Sequence, residues 1–225
     1  MIKVCVLVPV YNEENHLREL LDGVKTVISD IIVVDDGSTD KSSAVAESAG
    51  VHVIRHETNS GKGAALKSGF DYVSKGDWDA VITIDGDGQH DYNEINTFID
   101  RAGEADILIG NRLDDTKSMP IIRLWTNQFT SNVVSKIAGQ KIPDSQCGFR
   151  LFHKRVLGHI DLKTVRFDSE SEILINASQK GYTIASVPVR TIYGTEESKI
   201  CPSRDVVLFF KLVFKSLYVS KKKKK

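Results

Sequence analysis

Two carboxylates stand one residue apart where the apolar run Ala80-Val81-Ile82-Thr83-Ile84 stops, in Asp85-Gly86-Asp87-Gly88-Gln89-His90. A strand that ends at a carboxylate, followed by a second carboxylate and a Gln on a glycine-rich turn, offers hard oxygen ligands for Mg²⁺ or Mn²⁺ and leaves room for phosphate oxygens. The same residues taken alone also describe a solvated acidic turn, since Asp and Gly are ordinary turn formers. Other polar loops in the chain bear on that choice.

Two more strand-like runs end in side chains that could bind a ligand. Val8-Pro9-Val10-Tyr11-Asn12-Glu13-Glu14 follows the first run, and Asp35-Asp36-Gly37-Ser38-Thr39-Asp40 follows the second. Singly, Asn12 or Ser38 to Asp40 could do no more than cap the helix that comes next. Together the three loops close successive strands, and in a doubly wound sheet the carboxyl ends of the strands carry the ligand site.

The elements that must position these loops alternate along the chain. Val4 to Val8, Ile31 to Val34, Val51 to Ile54, Ala80 to Ile84 and Asp106 to Ile109 read as strands. Leu17, Leu20, Leu21 and Val24 fall at i, i+3, i+4 and i+7, the stripe of an amphipathic helix. Asp40 to Ala49, Gly63 to Val73 and Glu94 to Ala102 read as further helices. Alternation of this kind predicts an α/β fold with a mostly parallel central sheet flanked by helices. After residue 109 the pattern becomes less regular.

Composition bounds the rest. With 225 residues, 41% hydrophobic and 27% charged, the chain can bury one substantial core. Its formal charge is zero from 30 basic and 30 acidic residues, but five of the basic ones are the run Lys221 to Lys225. The body therefore carries 25 basic against 30 acidic residues, a balance unsuited to nucleic acid. Cys5, Cys147 and Cys201 are odd in number and far apart, which argues against a disulfide framework or a zinc site and suits a cytoplasmic protein. The start of the chain reads directly into a strand without a signal-peptide pattern, and no apolar run approaches the ~18 residues that cross a bilayer.

The ordered segments Val8-Pro9-Val10-Tyr11-Asn12-Glu13, Asp35-Asp36-Gly37-Ser38-Thr39-Asp40, Asn59-Ser60-Gly61-Lys62-Gly63 and Asp85-Gly86-Asp87-Gly88-Gln89 resemble the motifs of the inverting family 2 glycosyltransferases with the GT-A fold. Gly110-Asn111-Arg112, Asp144 to Arg150 and Val187-Pro188-Val189-Arg190 are similar to the branch that contains dolichol-phosphate mannosyltransferases and other polyprenyl-phosphate glycosyltransferases. The likeness covers about residues 3 to 200, which gives a GT-A domain over 1–200 and an appended segment over 201–225.

The resemblance implies a nucleotide-sugar site built from Pro9, Tyr11, Glu13, Asp36, Lys62, Asp85, Gly86, Glu172, Arg190 and Lys199. Asp85, Asp87 and Gln89 would hold Mg²⁺ or Mn²⁺, which neutralises charge on the leaving diphosphate. His90 is left outside the metal set, as a neighbour of hard oxygen ligands. Glu170 and Glu172 could both meet sugar hydroxyls, although acidic residues in a first helical turn also suit the helix dipole; Glu172 is the choice of the two. Tyr193 to Lys199 would close as a lid over the diphosphate, or form a surface loop.

The acceptor implied by the resemblance is a polyprenyl phosphate, whose second pKa near ~6 leaves it largely dianionic at neutral pH. No general base is then needed, and cations must position the anion. Arg112, Arg123, Asn127 and Arg150 are assigned to that phosphate, with Asp87, Arg112 and Arg150 as the catalytic set. Arg123 alone would equally suit an exposed helix, and the family commonly carries Ser where Asn127 stands. Val206 to Val219 is densely apolar with Lys211 and Lys215 four apart, a pattern for an interfacial helix on a membrane or for a core or dimer helix. The lysines after it would favour an anionic leaflet, which places the protein on the cytoplasmic face of a membrane as a peripheral protein, with a membrane partner subunit left open.

The reaction expected is metal-dependent, inverting transfer of a sugar to the lipid phosphate, with mannose from GDP-mannose as first choice and UDP-sugars open. Transfer to a sugar or protein hydroxyl would need a carboxylate base such as Glu172. A silent nucleotide-sugar-binding partner is the reading from another class, opposed by the intact Asp85, Asp87, Arg112 and Arg150.

Overall fold

A strand buried on both faces shows no hydrophobic alternation, so its two cores are told apart only by which helices each residue meets. In β1 (Val4–Val10), Val4, Val6, Val8 and Val10 share one core with Leu17, Leu20, Leu21 and Val24 of α1 (Leu17–Val27). Cys5 and Leu7 point to the other face, against Ala65, Leu66, Phe70 and Val73 of α3 (Lys62–Lys75). This is the period of two that a pleated strand imposes. The computed structural model describes residues 2–113, 119, 121–160 and 169–192.

The remaining elements are β2 (Ile31–Asp35), α2 (Ser42–Ser48), β3 (His52–Arg55), β4 (Ala80–Thr83), α4 (Ile95–Asp100), β5 (Ile107–Asn111), α5 (Ile121–Ala138), β6 (Arg150–His153), α6 (Lys154–Leu157), α7 (Ser169–Gln179) and β7 (Ile184–Pro188). They form a seven-stranded sheet in the order β3-β2-β1-β4-β6-β5-β7. All neighbours run parallel except β6, which is antiparallel to both β4 and β5. The α/β architecture with a mostly parallel sheet is therefore as expected, and the first five strands and first four helices fall where periodicity puts them.

The second half departs from the regular alternation. β6 pairs Arg150 with Thr83 and Leu151 with Ile82, which brings a segment more than sixty residues downstream against the end of β4. α5 runs for 18 residues, and α5, α6 and α7 cover the same face as α3 through Val134, Val156, Leu157, Ile173 and Leu174.

Close packing of α3 on β1 supplies a test. A Cβ added at Gly69 would lie 2.4 Å from the Cδ1 of fully buried Leu7. Alanine is the better helix former by ~1 kcal/mol, yet overpacking a close-packed core costs about 1–3 kcal/mol. Gly69→Ala is expected to lower the urea midpoint despite its helix propensity, and a raised midpoint would show that the α3–β1 contact is loose.

Candidate active site

The site lies where β2, β1 and β4 end side by side, and its loops are laced to one another by hydrogen bonds. Asn12, with φ of 54°, takes the left-handed conformation that Asn tolerates better than most residues. Its Oδ1 accepts from the Thr39 amide at 2.9 Å while its own amide donates to Ser38 Oγ at 3.0 Å. The Glu13 amide donates to Ser42 Oγ at 2.8 Å and the Glu14 amide to Asp40 Oδ2 at 3.1 Å. The hydroxyls and carboxylates after β2 thus satisfy amides after β1 that would otherwise need water. Tyr11, 39% exposed, stands at the rim of this lacework.

Asp36 organises a third loop. Its buried carboxylate accepts from His56 Nδ1 at 2.6 Å, from the Ser60 amide at 3.0 Å and from the Gly61 amide at 2.6 Å. Gly61, with φ of 93°, then starts α3 and delivers Lys62 as its first residue.

Lys62 reaches two carboxylates. Its Nζ lies 2.7 Å from Asp85 Oδ1 and 2.5 Å from Glu170 Oε1, the latter in the first turn of α7. Burial alone would disfavour its charge, but Asp85 and Glu170 outweigh that and hold the ammonium above the ordinary lysine range. Asp85 is likewise kept ionised: burial would raise its pKa, and Lys62, with help from Arg112, holds it below the usual carboxylate value. Gly148 presses on this group, since a Cβ there would sit 2.4 Å from Asp85 Oδ2. Gly86 abuts the first loop, its missing Cβ 3.4 Å from the Pro9 carbonyl and 3.5 Å from Glu13 Cγ. Asp87 Oδ1 accepts from the Gln89 amide at 3.0 Å, which shapes the acidic turn.

Two arginines are held firmly. Arg112 grips Asp144 in a fork, Nε to Oδ2 at 2.7 Å and Nη2 to Oδ1 at 3.0 Å. Arg150, 1% exposed, donates to the carbonyls of Cys147 at 2.6 Å, Glu170 at 2.8 Å and Ser145 at 2.9 Å. His90 lies 4.0 Å from Asp85 Oδ2 and packs on the Phe149 ring. Burial pushes its pKa down to about 4, so the imidazole is neutral at neutral pH. After β7, the Ile192 amide donates to the Gln89 carbonyl at 2.9 Å and the Arg190 amide to Glu94 Oε1 at 3.0 Å, which drapes this segment over the acidic turn.

This arrangement of carboxylates and cations at strand ends has counterparts. The family model described as "Glycosyl transferase family 2" matches residues 5–161. The chain belongs to glycosyl transferase family 2. An uncharacterized protein of Methanocaldococcus jannaschii is 34% identical over 95% of this chain and 90% of its own length. A Methanococcus voltae protein named UDP-N-acetylglucosamine–dolichyl-phosphate N-acetylglucosaminyltransferase is 28% identical over 95% of this chain and 94% of its own. The polyprenol monophosphomannose synthase of Mycolicibacterium smegmatis is 30% identical over 83% and 76%. In fold, the chain is similar to glucosyl-3-phosphoglycerate synthase of Mycobacterium tuberculosis, solved with Mn²⁺, UDP and glucosyl-3-phosphoglycerate, at a TM-score of 0.73 over 96% of this chain and 78% of that one, with 17% identity.

Within this family 2 glycosyltransferase, the GT-A fold brings Pro9, Glu13, Lys62, Asp85, Gly86 and Asp87 to one sheet edge. The structure gives three of the expected residues defined surroundings. Asp36 has its carboxylate engaged by His56 and the 60–61 loop, so it holds the backbone that leads into Lys62. Arg150 turns its guanidinium inward onto three carbonyls, because residue 150 pairs with Thr83 inside the sheet; it braces the site, and a grip on phosphate is not what this placement offers. Glu170, passed over for Glu172, is the member of the pair that meets Lys62, while Glu172 is also buried in that first turn. Asp144, quoted in the sequence only as the start of a motif and given no role, is the partner that holds Arg112, an acidic residue 32 positions from it. Arg123 and buried Asn127 lie on α5, the latter one turn before Ser131, whose Oγ accepts from the Ser145 amide at 2.9 Å. Lys199 and the 193–199 lid segment lie outside the described residues.

Two outcomes follow from these environments. Arg150→Gln leaves three buried carbonyls short of a donor, and a loss of about 2–5 kcal/mol in urea unfolding is expected, against less than ~0.5 kcal/mol for an arginine that merely faced the cleft. His90 is neutral when folded and titrates near 6.5 when unfolded, so the unfolded chain binds more protons between those values. Stability of metal-free protein is expected to fall as the pH drops through about 6.5 toward 4, and His90→Phe should flatten the slope between pH 7 and 5.5, before carboxylates titrate.

Proposed function

We propose that the enzyme transfers a hexosyl group, with inversion, from a nucleoside diphosphate sugar to a polyprenyl phosphate. The observation that carries this reading is that three of the cleft's carboxylates are already paired with its cations. Asp85 and Glu170 share Lys62, and Asp144 holds Arg112, while His90 is neutral and buried. None of these carboxylates is set up as the base that a hydroxyl nucleophile requires. A phosphate monoester needs none: its dianion attacks the anomeric carbon, the new C–O bond forms, and the bond to the diphosphate breaks on the opposite face. The names of the Methanococcus voltae and Mycolicibacterium smegmatis relatives support a lipid phosphate acceptor.

Lys62 would face the donor diphosphate, with Pro9, Tyr11 and Glu13 around the nucleoside. Asp85, Asp87 and Gln89 would hold Mg²⁺ or Mn²⁺, a reading supported by the Lys62 ammonium that Asp85 Oδ1 already meets. Among the described residues no cluster of three or more His, Cys, Asp or Glu surrounds a metal position. Two carboxylates with an amide suit an ion whose shell is completed by substrate phosphates, as Mg²⁺ commonly is. Bound there, the ion would neutralise charge on the leaving group. The buried Nδ2 of Asn127 has no hydrogen-bond partner among the described residues, a donor that suits a phosphate oxygen of the acceptor.

A membrane substrate also fits the outer face of α5. Ile121, Trp125 and Phe129 are 72%, 70% and 54% exposed, and their spacing of four puts them on one stripe. Tryptophan and phenylalanine on such a stripe suit the headgroup region, so we place the enzyme peripherally on the cytoplasmic face of a membrane. No helix of the described residues is long and apolar enough to cross one. The apolar segment 206–219 and the terminal lysines lie outside the described residues.

GDP-mannose is our first donor, and UDP-N-acetylglucosamine is the second because the Methanococcus voltae relative carries that name. Purified protein with Mg²⁺ or Mn²⁺, labelled nucleotide sugars and short polyprenyl phosphates is expected to give product with the phosphate lipid and none with the matching alcohol. Asp87→Ala should lose at least about 10²-fold in rate while remaining folded. Transfer to the alcohol, or full activity of Asp87→Ala, would remove the acceptor or the metal assignment respectively.

A further inference from the structure

The geometry points to an exchange of cations at Asp85: Lys62 is its resident counter-ion in the metal-free enzyme, and Glu170 is the positioning residue that receives the ammonium when a divalent cation takes Asp85. The inference rests on the metal reading of the Asp85 turn. It begins from the bridging position of Lys62 Nζ, 2.7 Å from Asp85 Oδ1 and 2.5 Å from Glu170 Oε1. The neighbouring cations are committed elsewhere. Arg150 is spent on carbonyls and Arg112 on Asp144. Without Lys62, Asp85 and Glu170 would lose the cation that bridges them, which is unfavourable in a partly buried site.

The surroundings decide which partner moves. Asp85 is wedged against the Gly148 backbone, where even a Cβ would come within 2.4 Å of its Oδ2. Arg150 Nη1 fixes the main chain of Glu170 through its carbonyl at 2.8 Å. Lys62 has a four-carbon stem and sits at the first position of α3, so its ammonium can turn while the backbone stays. A destination is already built. Glu170 Oε2 is buried and has no hydrogen-bond partner among the described residues, leaving an acceptor open beside the one Lys62 already uses. A divalent ion on Asp85 repels the ammonium, and Glu170 keeps it inside the site and close to where a diphosphate would lie. Lys62 therefore competes with the metal while the donor is absent and assists donor binding once it arrives.

Mn²⁺ binding followed by electron paramagnetic resonance without nucleotide tests this independently of turnover. Lys62→Met is expected to bind Mn²⁺ about tenfold more tightly than the wild type. Glu170→Gln is expected to bind it severalfold more weakly, because Lys62 then has Asp85 alone. In Lys62→Met/Glu170→Gln the Glu170 effect should shrink, as it must if Glu170 acts through Lys62. The double variant removes cation and carboxylate together, so comparing it with Glu170→Gln preserves the test where Lys62→Met fails to fold. Unchanged or weaker Mn²⁺ binding on removing Lys62, or no Mn²⁺ on any of these proteins without nucleotide, overturns the exchange while leaving the metal reading standing. If the wild type also fails to bind Mn²⁺ with GDP or UDP present, the metal reading falls and the exchange falls with it.

Discussion

One partly buried ammonium between two carboxylates sets the terms for everything around it. Lys62, Asp85 and Glu170 come from α3, the end of β4 and the start of α7, and desolvating these charges is tolerable only while all three meet. The contact therefore joins the first half of the sheet to the helices of the second half. Arg150 secures the far side, since its guanidinium ties the carbonyls of Ser145, Cys147 and Glu170 into one unit. A cluster of this kind holds its charged groups in place before any ligand arrives.

The loops around it obey a second constraint, that backbone amides at strand ends must find acceptors. Asp36, Ser38, Asp40 and Ser42 supply them for the chain after β1 and for the 60–61 loop. Side chains that look like ligand contacts in a motif here also hold the backbone of the neighbouring loops. The same logic applies to Arg112, whose fork on Asp144 fixes its direction before any substrate is present. Motif residues that never touch a nucleotide can thus be as necessary as those that do.

Legibility in the sequence followed how local each signal was. The runs Val4 to Val8, Ile31 to Val34 and Ala80 to Ile84 and the stripe of α1 are local patterns, and the structure places strands and helix there, the strands ending at Val10, Asp35 and Thr83. α5 escaped because its apolar residues are spread around it, with Val134 in the core and Ile121, Trp125 and Phe129 outside. β6 is four residues long, and only its pairing with β4 reveals it as a strand. In the site, Asp85 and Lys62 were legible from motifs, whereas the choice between Glu170 and Glu172 was not. Two positions apart on a helix they point roughly 200° from one another, and only the docking of α7 decides which meets Lys62.

Arg150 shows why residue type alone is an incomplete guide to a phosphate site. An arginine after Cys-Gly-Phe looks suited to gripping an anion, yet its antiparallel register opposite Thr83 turns it beneath the cleft. Its charge still counts: a buried guanidinium under Glu170 and Asp85 offsets their repulsion without offering a hydrogen bond to solvent or substrate. Cations that are fully committed to the protein lower the cost of keeping carboxylates ionised in a dry site. That leaves Lys62, exposed enough to meet a ligand and flexible enough to change partner, as the cation through which the cleft can respond to what binds there.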